Sequence, residues 1–594
     1  MSQAFVSLNR LRVIVLFILF AFMVLCGRLF YLHFVDSERL KSFAENVRKS
    51  VRVLASQRGD IFDVHGNILA ATHSSYTVGV DPNFLNDEDS KKWRHLAFIL
   101  EIPYSDLKAV MEKKVRIKSG RLIRWASLAK NVDLKTYEAV MNLGITGVYG
   151  NRKNQRFYPG NELASHVIGF VNHESVAVSG IEEMCDYYLR GQDGWVETER
   201  DGRRRELAHK RSREISEVNG NNVYLTLDQR IQSAVEEAID AVVERYNPEG
   251  ISVIVSRPND GSILALANYP TFDLNEFFNT QLYPIANQRN RAITDVYEPG
   301  STFKIVPASG VLNEAEVNPK DVFETGKHVV LYKNRKVRLP SDHRFYDRLS
   351  MADIVIKSSN RGAAHLGMVL GEERLHAYAK SFGFGEQTDL GLRGEISGTL
   401  HPIDRWDGLT ISTLPMGHAV DGTPMQIHYA MSVIANKGLL MKPRIIDRIT
   451  NSEDTLLFEY PAVTKRRVLH ESVSQQMADL LNEVVGVNGT ARRAAIKGYS
   501  IGGKTGTTQK IINGKYSSKS HVASFSGFLP VKDPEVIITV VVDAPKVKGG
   551  TGYGGVVAAP VFKEIAEECI RYLEIRSSEY LSLIHISEPT RLAT

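Results

Sequence analysis

Cysteine is almost missing from this 594-residue chain, which has only Cys26, Cys185 and Cys569. Three scattered thiols make no disulfide framework, and Cys185 and Cys569 read as buried small hydrophobes rather than as a bridge. An excess of one charge is missing too. The 73 basic and 68 acidic side chains leave a net charge of +5, and no long basic stripe is interleaved with aromatics, so composition gives no case for nucleic-acid binding. The densest basic run, Arg203, Arg204, Arg205, Lys210, Arg211 and Arg213, is broken by Glu206 and follows Asp193-Gly194, which marks a solvated loop. Internal repeats and low-complexity tracts are absent. His65, His166, His418 and His521 lie in distant segments, so they read as structural or solvated side chains, and no metal or cofactor is expected.

What is present is an ordinary globular composition, 43% apolar and 24% charged, in a chain too long for one hydrophobic core; two or three domains are expected. One hydrophobic run stands apart. Val13 to Gly27 carries no charge, and apolar character resumes after Arg28 as far as Val35. The uncharged part alone is shorter than a hydrocarbon core of about 30 Å, so a helix over residues 13–35 must continue past Arg28, whose head snorkels to the outer headgroups. The run is apolar on all faces and no small-residue cleavage site follows, which indicates a retained signal anchor. Residues 1–12, with Arg10 and Arg12, form the expected cytoplasmic tail, and the long following domain is expected outside the cytoplasm. At the other end, LSLIHISEPTR from Leu581 to Arg591 reads as the frame translation of a transposase-type sequencing adapter, so residues 581–594 are set apart from the fold.

Residues 36–220 mix short strand-like runs such as SYTVGVDP with helical pieces such as SDLKAVMEKK, and form a first extracytoplasmic domain. A second starts at Asn221 and runs to residue 580. Its opening NNVYLTLD is followed by QRIQSAVEEAIDAVVERY, where Ile231, Val235, Ile239 and Val242 recur at helical spacing. ISVIVSR and SILALANYP then flank a Pro-Asn-Asp-Gly turn. Near the end, a strand around Gly503 to Lys510, the hairpin HVASFSGFLP with VIITVVVDAP, and the helix AAPVFKEIAEECIRYLEI follow. An antiparallel sheet built from both ends of the domain, with helices inserted between, is an α+β architecture.

Within this second domain, YEPGSTFKIV contains Ser301-x-x-Lys304. If Gly300 lets the chain turn into a helix, the two side chains share a face, and a lysine held neutral by burial or neighbouring cations can activate a serine hydroxyl. Alone the pattern is cheap, because Ser105-x-x-Lys108 repeats it on what reads as an exposed helix. Ser301 has company: IKSSNRG supplies Ser358-x-Asn360, and GGKTGTTQK supplies Lys504-Thr505-Gly506. Pro307 falls six residues into the nucleophile helix, where its missing N–H should kink or restart it.

Three motifs in this order resemble the penicillin-binding proteins and serine β-lactamases. RGDIFDVHGNILA (Arg58 to Ala70), RFYPGNELASHVIGFVN (Arg156 to Asn172) and GIEEMCDYYLRGQDG (Gly180 to Gly194) are similar to the pedestal, or dimerisation-like, domain of class B monofunctional transpeptidases. The Tyr297-Glu298-Pro299-Gly300 form resembles the division-specific branch. Val64, and Ala419 with Asp421-Gly422 in MGHAVDGTPMQ, depart from the family pattern at a pedestal contact and at the groove rim.

The resemblance implies a transpeptidase domain of the penicillin-binding/β-lactamase-like fold, an antiparallel sheet flanked by helices. It implies that Ser301 attacks the carbonyl between two terminal D-alanines, that Lys304 takes its proton, and that Ser358 passes a proton to the leaving amine. Asn360 would bond the donor peptide, Lys504 and Thr505 of the Lys504-Thr505-Gly506 motif would hold the terminal carboxylate, and the N–H groups of Ser301 and Thr507 would bind the oxyanion. It implies peptidoglycan stem peptides and lipid II-derived nascent glycan as substrates, β-lactams as covalent inhibitors, and a SEDS-family glycan polymerase and other divisome proteins as partners. The expected location is the bacterial cytoplasmic (inner) membrane, single-pass, with the N-terminus inside. Alternatives with the same motifs are an elongation-type transpeptidase, a β-lactam sensor or hydrolase, and a catalytically silent scaffold.

Overall fold

The computed structural model of the chain describes residues 8–115, 122–199, 213–512, 514–547 and 552–577. The adapter-like tail and all of the basic run except Arg213 lie outside the described residues. The helix Leu8–Phe30 continues past Arg28 through a π turn, Tyr31–Val35, as the length argument requires. Together they span 28 residues, about 42 Å at 1.5 Å per residue. This is the one helix among the described residues long and apolar enough to cross a membrane, and none of its most apolar window is buried, unlike the core helix of a soluble domain.

Two compact units follow from chain contacts. The first joins the residues up to Gln57 to Gly191–Asn219 and contains a three-stranded sheet of Lys49–Leu54, Gly194–Glu199 and Arg213–Ile215. The second joins Arg58–Arg190 to Gly220 and the rest of the chain. Within it the strand Asn222–Leu225, just after the expected domain boundary, pairs parallel with Ile61–Phe62 and antiparallel with Ile446–Thr450.

The pedestal-like motifs meet in this second unit on one carboxylate. Glu182 is fully buried and takes Arg58 Nε on Oε2 and Arg156 Nε on Oε1, both at 2.6 Å. Arg58 also pairs with Asp186 at 2.5 Å, and the Tyr158 hydroxyl donates to Glu182 Oε1 at 3.3 Å. Each of the three motifs contributes a side chain, so their spacing in the sequence reflects a single buried ionic junction that satisfies charges burial would otherwise penalise.

The expected second domain is organised by a five-stranded antiparallel sheet in the order Ile263–Tyr269, Gly250–Ser256, Val536–Asp543, Lys515–Leu529, Gly502–Ile512, built from both ends of the domain as expected. Gly250–Ser256 is buried at every residue, so both sheet faces are covered. Helices Gln229–Tyr246 and Gly554–Tyr572 pack together against the sheet, and Pro424–Ala435 also packs on it. The first of these is capped by Asp228, which accepts from the N–H groups of Arg230 and Ile231, and it buries Ile231, Val235, Ile239 and Val242, the stripe its periodicity predicts. Gly554–Tyr572 starts four residues before the expected Ala558. The reason is contact: a Cβ on Gly554 would lie 2.3 Å from the carbonyl oxygens of Gly506 and Ser524, so its first turn can dock on the sheet only as glycine.

Cys185 and Cys569 are buried free thiols, and burial pushes each up to about 12.

Candidate active site

Gly502–Ile512 is the edge strand of the five-stranded sheet, and the turn carrying Ser301 packs beside it. Gly300–Lys304 is a 3-10 helix and Ile305–Asn313 the α-helix that follows. In a 3-10 turn residues i and i+3 eclipse, so Ser301 and Lys304 share a face more closely than an α-turn would allow. Pro307 lies in the first turn of the α-helix, where its missing N–H leaves no hydrogen bond unmade. The change of helix type falls at Lys304–Ile305, ahead of the proline. Gly300 has φ +55°, and a Cβ there would lie 2.4 Å from Thr508 Oγ1; a side chain at 300 would push the Ser301 turn off the strand.

The segment entering the turn is held from behind by the loop Gly417–Gly422. Tyr297 and Gly422 exchange backbone hydrogen bonds at 3.0 and 3.1 Å, and Gly300 N–H donates to Gly417 O at 3.1 Å. Glu298 is buried and accepts from Ala419 N–H and from the Tyr516 hydroxyl, both at 3.1 Å, with His418 at 2.8 Å. Burial opposes its charge, but His418 and these donors hold the carboxyl below its ordinary range. The residues that depart from the family pattern, Ala419 and Asp421-Gly422, thus belong to a clamp on the turn that carries Ser301.

Ser358 and Asn360 come from the junction of two helices, Met351–Ile356 and Asn360–Leu370. Ser358 has φ +59°, a left-handed conformation that costs a non-glycine residue about 1–2 kcal/mol. In return its carbonyl meets Lys304: Nζ lies 2.6 Å from Ser358 O, 2.7 Å from Asn360 Oδ1 and 3.3 Å from Ser358 Oγ. Lys504 Nζ reaches the same hydroxyl at 2.8 Å and Thr505 O at 3.3 Å. Two buried lysines therefore share one serine hydroxyl. Burial first, and then the charge of Lys504, hold the Lys304 ammonium well below its ordinary value, with Asp342 opposing; burial lowers Lys504 to about 7. A neutral amine has two N–H donors and one lone pair. The two short contacts of Lys304, to Ser358 O and Asn360 Oδ1, match the two donors of the neutral form.

Ser301, Ser358, Asn360, Thr505 and Thr507 all line one cleft of about 590 Å³. Thr505 Oγ1 contacts Thr490 Oγ1 at 3.0 Å, and Thr507 Oγ1 accepts from Gly554 N–H at 3.0 Å. Gly506 sits in the strand between them, where a Cβ would lie 2.3 Å from Ser524 Oγ; its part is to let the strand lie close. The second S-x-x-K pattern has none of this company. Ser105 is exposed and bonds Asp106, and Lys108 pairs with Glu112.

Sequence reasoning missed Asp342. Its carboxylate accepts from the Ser359 hydroxyl at 2.7 Å and from the N–H groups of Asn360 and Arg361, so it anchors the helix N-terminus that presents Asn360. No short motif announces it; it lies in a loop between Leu339 and Arg348 and acts only through the fold. Asp342→Asn is expected to slow acylation by a penicillin about 10- to 100-fold, the equivalent of one charged hydrogen bond. It should also move the acid limb of the rate profile to lower pH, because Asp342 favours the charged form of Lys304. Stopped-flow acylation across pH checks both.

Residues 251–567 match the family described as penicillin binding protein transpeptidase domain, and residues 53–225 match the penicillin-binding protein dimerisation domain. The chain belongs to the class B penicillin-binding proteins. It is 31% identical to stage V sporulation protein D of Bacillus subtilis (strain 168) over 96% of this chain and 86% of that protein. It is 30% identical to peptidoglycan D,D-transpeptidase FtsI of Escherichia coli (strain K12) over 94% and 91%. Among solved structures, a peptidoglycan synthetase from Bifidobacterium adolescentis aligns with TM-score 0.71 at 26% identity, covering 89% of this chain and 98% of that one. Penicillin binding protein 3 from Mycobacterium tuberculosis, complexed with aztreonam, aligns with TM-score 0.68 at 25% identity and the same coverage.

Proposed function

We propose that this chain crosslinks peptidoglycan by D,D-transpeptidation through an acyl-enzyme on Ser301. The observation that carries the reading is the pair of buried lysines, Lys304 and Lys504, meeting at Ser358 Oγ beside the serine turn. The Ser301 oxygen attacks the carbonyl carbon of the penultimate D-alanine while its proton passes to the lone pair of Lys304. The oxyanion takes the N–H groups of Ser301 and Thr507. When the C–N bond breaks, the proton moves through Ser358 to the departing D-alanine amine, leaving an ester on Ser301. Asn360 orients the donor peptide, and Lys504 with Thr505 binds the terminal carboxylate, whose negative charge favours the ammonium form of Lys504. An acceptor amine then attacks the ester, forms the new amide and returns the serine. A β-lactam acylates the same oxygen.

The exposed apolar helix supports anchoring by a single span, and the proposed topology keeps the N-terminus in the cytoplasm, residues 1–12 as tail and the catalytic domain outside the cytoplasmic membrane. The resemblance of Tyr297-Glu298-Pro299-Gly300 to the division branch supports a septal role beside a SEDS-family polymerase and other divisome proteins. Two assays test this reading. The purified full chain, given a donor ending in D-Ala-D-Ala and an amine acceptor, should release D-alanine and form a crosslinked product. A fluorescent fusion should gather at midcell; uniform sidewall signal would replace the septal role by an elongation role.

A further inference from the structure

The catalytic cleft carries more positive charge than the proposed chemistry uses. Besides the motif residues it is lined by Arg344, Lys357, Arg492 and Arg493, with Asp342 as its one carboxylate. Asp342 is spent on Ser359, Asn360 and Arg361. Lys357 is paired with Asp353 at 2.9 Å and lies over the Tyr346 ring, and Arg493 Nη1 donates to Val556 O at 3.4 Å. Arg344 and Arg492 are different. Both are exposed at the cleft, and neither side chain has an ion pair or hydrogen bond among the described residues. They come from separate segments, Arg344 beside Asp342 and the Asn360 helix, Arg492 beside Thr490 and the Lys504-Thr505 strand. Two guanidinium groups with free donors, converging on one groove from separate segments, suit a planar anion.

We infer that Arg344 and Arg492 select donor peptides that carry a second carboxylate besides the terminal one, and that amidated stems are poorer substrates. The inference rests on the transpeptidase reading and names the class of donor for that site. The terminal carboxylate is already assigned to Lys504 and Thr505, both buried. An acidic group further along the stem, toward the rim, meets the two arginines, and a carboxamide of the same shape offers them no charge.

The test compares two synthetic donors ending in D-Ala-D-Ala that differ only in carrying a free carboxylate or a carboxamide on the stem residue. D-alanine release by the full-length protein in detergent is measured for wild type, Arg344→Gln, Arg492→Gln and the double variant, with thermal unfolding as the folding control. The expected result for wild type is a kcat/KM about tenfold higher for the carboxylate donor, expressed in KM and weakened by added salt. In the double variant the ratio should fall to near one while kcat on the amidated donor holds. Equal use of both donors by wild type, or a preference that survives in a folded double variant, overturns the inference. Wild type that is acylated by neither donor nor penicillin would instead sink the underlying transpeptidase reading.

Discussion

Replacing Lys304 with methionine is expected to slow acylation by a penicillin about 10²- to 10⁴-fold, the usual worth of a positioned general base. Methionine keeps most of the buried stem and removes only the amine, so the loss reads on chemistry and not on a cavity. Wild type should acylate faster as pH rises through an ionisation well below that of an ordinary lysine, because burial and then the charge of Lys504 disfavour the Lys304 ammonium. That limb should vanish in the variant. The same depression links to stability. Lysines whose native values lie below their unfolded ones make the unfolded chain bind more protons in between, so stability should rise with pH from about 7, the value of Lys504, toward 10.5. A Lys304→Met protein that keeps more than a tenth of the wild-type rate would remove Lys304 from the role of base.

Glu182→Ala is expected to cost about 3–5 kcal/mol, since it leaves the Arg58 and Arg156 guanidinium groups without the carboxylate they share in a buried site. Tyr158 loses an acceptor as well. Glu182→Gln should fall between, keeping shape and one acceptor oxygen. Thermal unfolding of the full chain measures the loss. Penicillin acylation at low temperature, where the variant is still folded, should stay near wild type, because Glu182 bonds residues of Arg58–Asp186 and none of the cleft side chains. A melting temperature unchanged by Glu182→Ala would contradict the reading of the three pedestal motifs as one ionic junction.

Much of the catalytic half was legible in the sequence. The stripe Ile231, Val235, Ile239 and Val242, the Pro258–Gly261 turn and the apolar runs at 536–543 report on local period and burial, and local period is what a sequence carries most directly. The anchor was legible for the same reason. Boundaries set by close approach were not: the start of the last helix at Gly554 depends on the carbonyls of Gly506 and Ser524, which are distant in the chain. The strand Lys515–Leu529 begins well before the expected His521, directly after Gly514, at an Asn-Gly pair that is itself a hairpin signal. In the site, Ser301, Lys304, Ser358, Asn360 and Lys504 were found because their motifs are short and ordered. Asp342 and Arg492 belong to no such pattern, and although Glu298 and His418 lie in quoted stretches, nothing in the chain pairs one with the other before it folds. Asp342, Glu298 and His418 act by holding one loop against another, and only the three-dimensional arrangement brings all four to the cleft or to the turn behind it.

The most direct test of the central claim is the site of the covalent adduct. The full chain is labelled with a fluorescent penicillin, digested, and the modified peptide is sequenced by mass spectrometry, beside Ser301→Ala. The expected adduct is on Ser301, one per chain, with no labelling of the variant. Labelling of Ser301→Ala equal to wild type, or an adduct on Ser105 or Ser358, would contradict it.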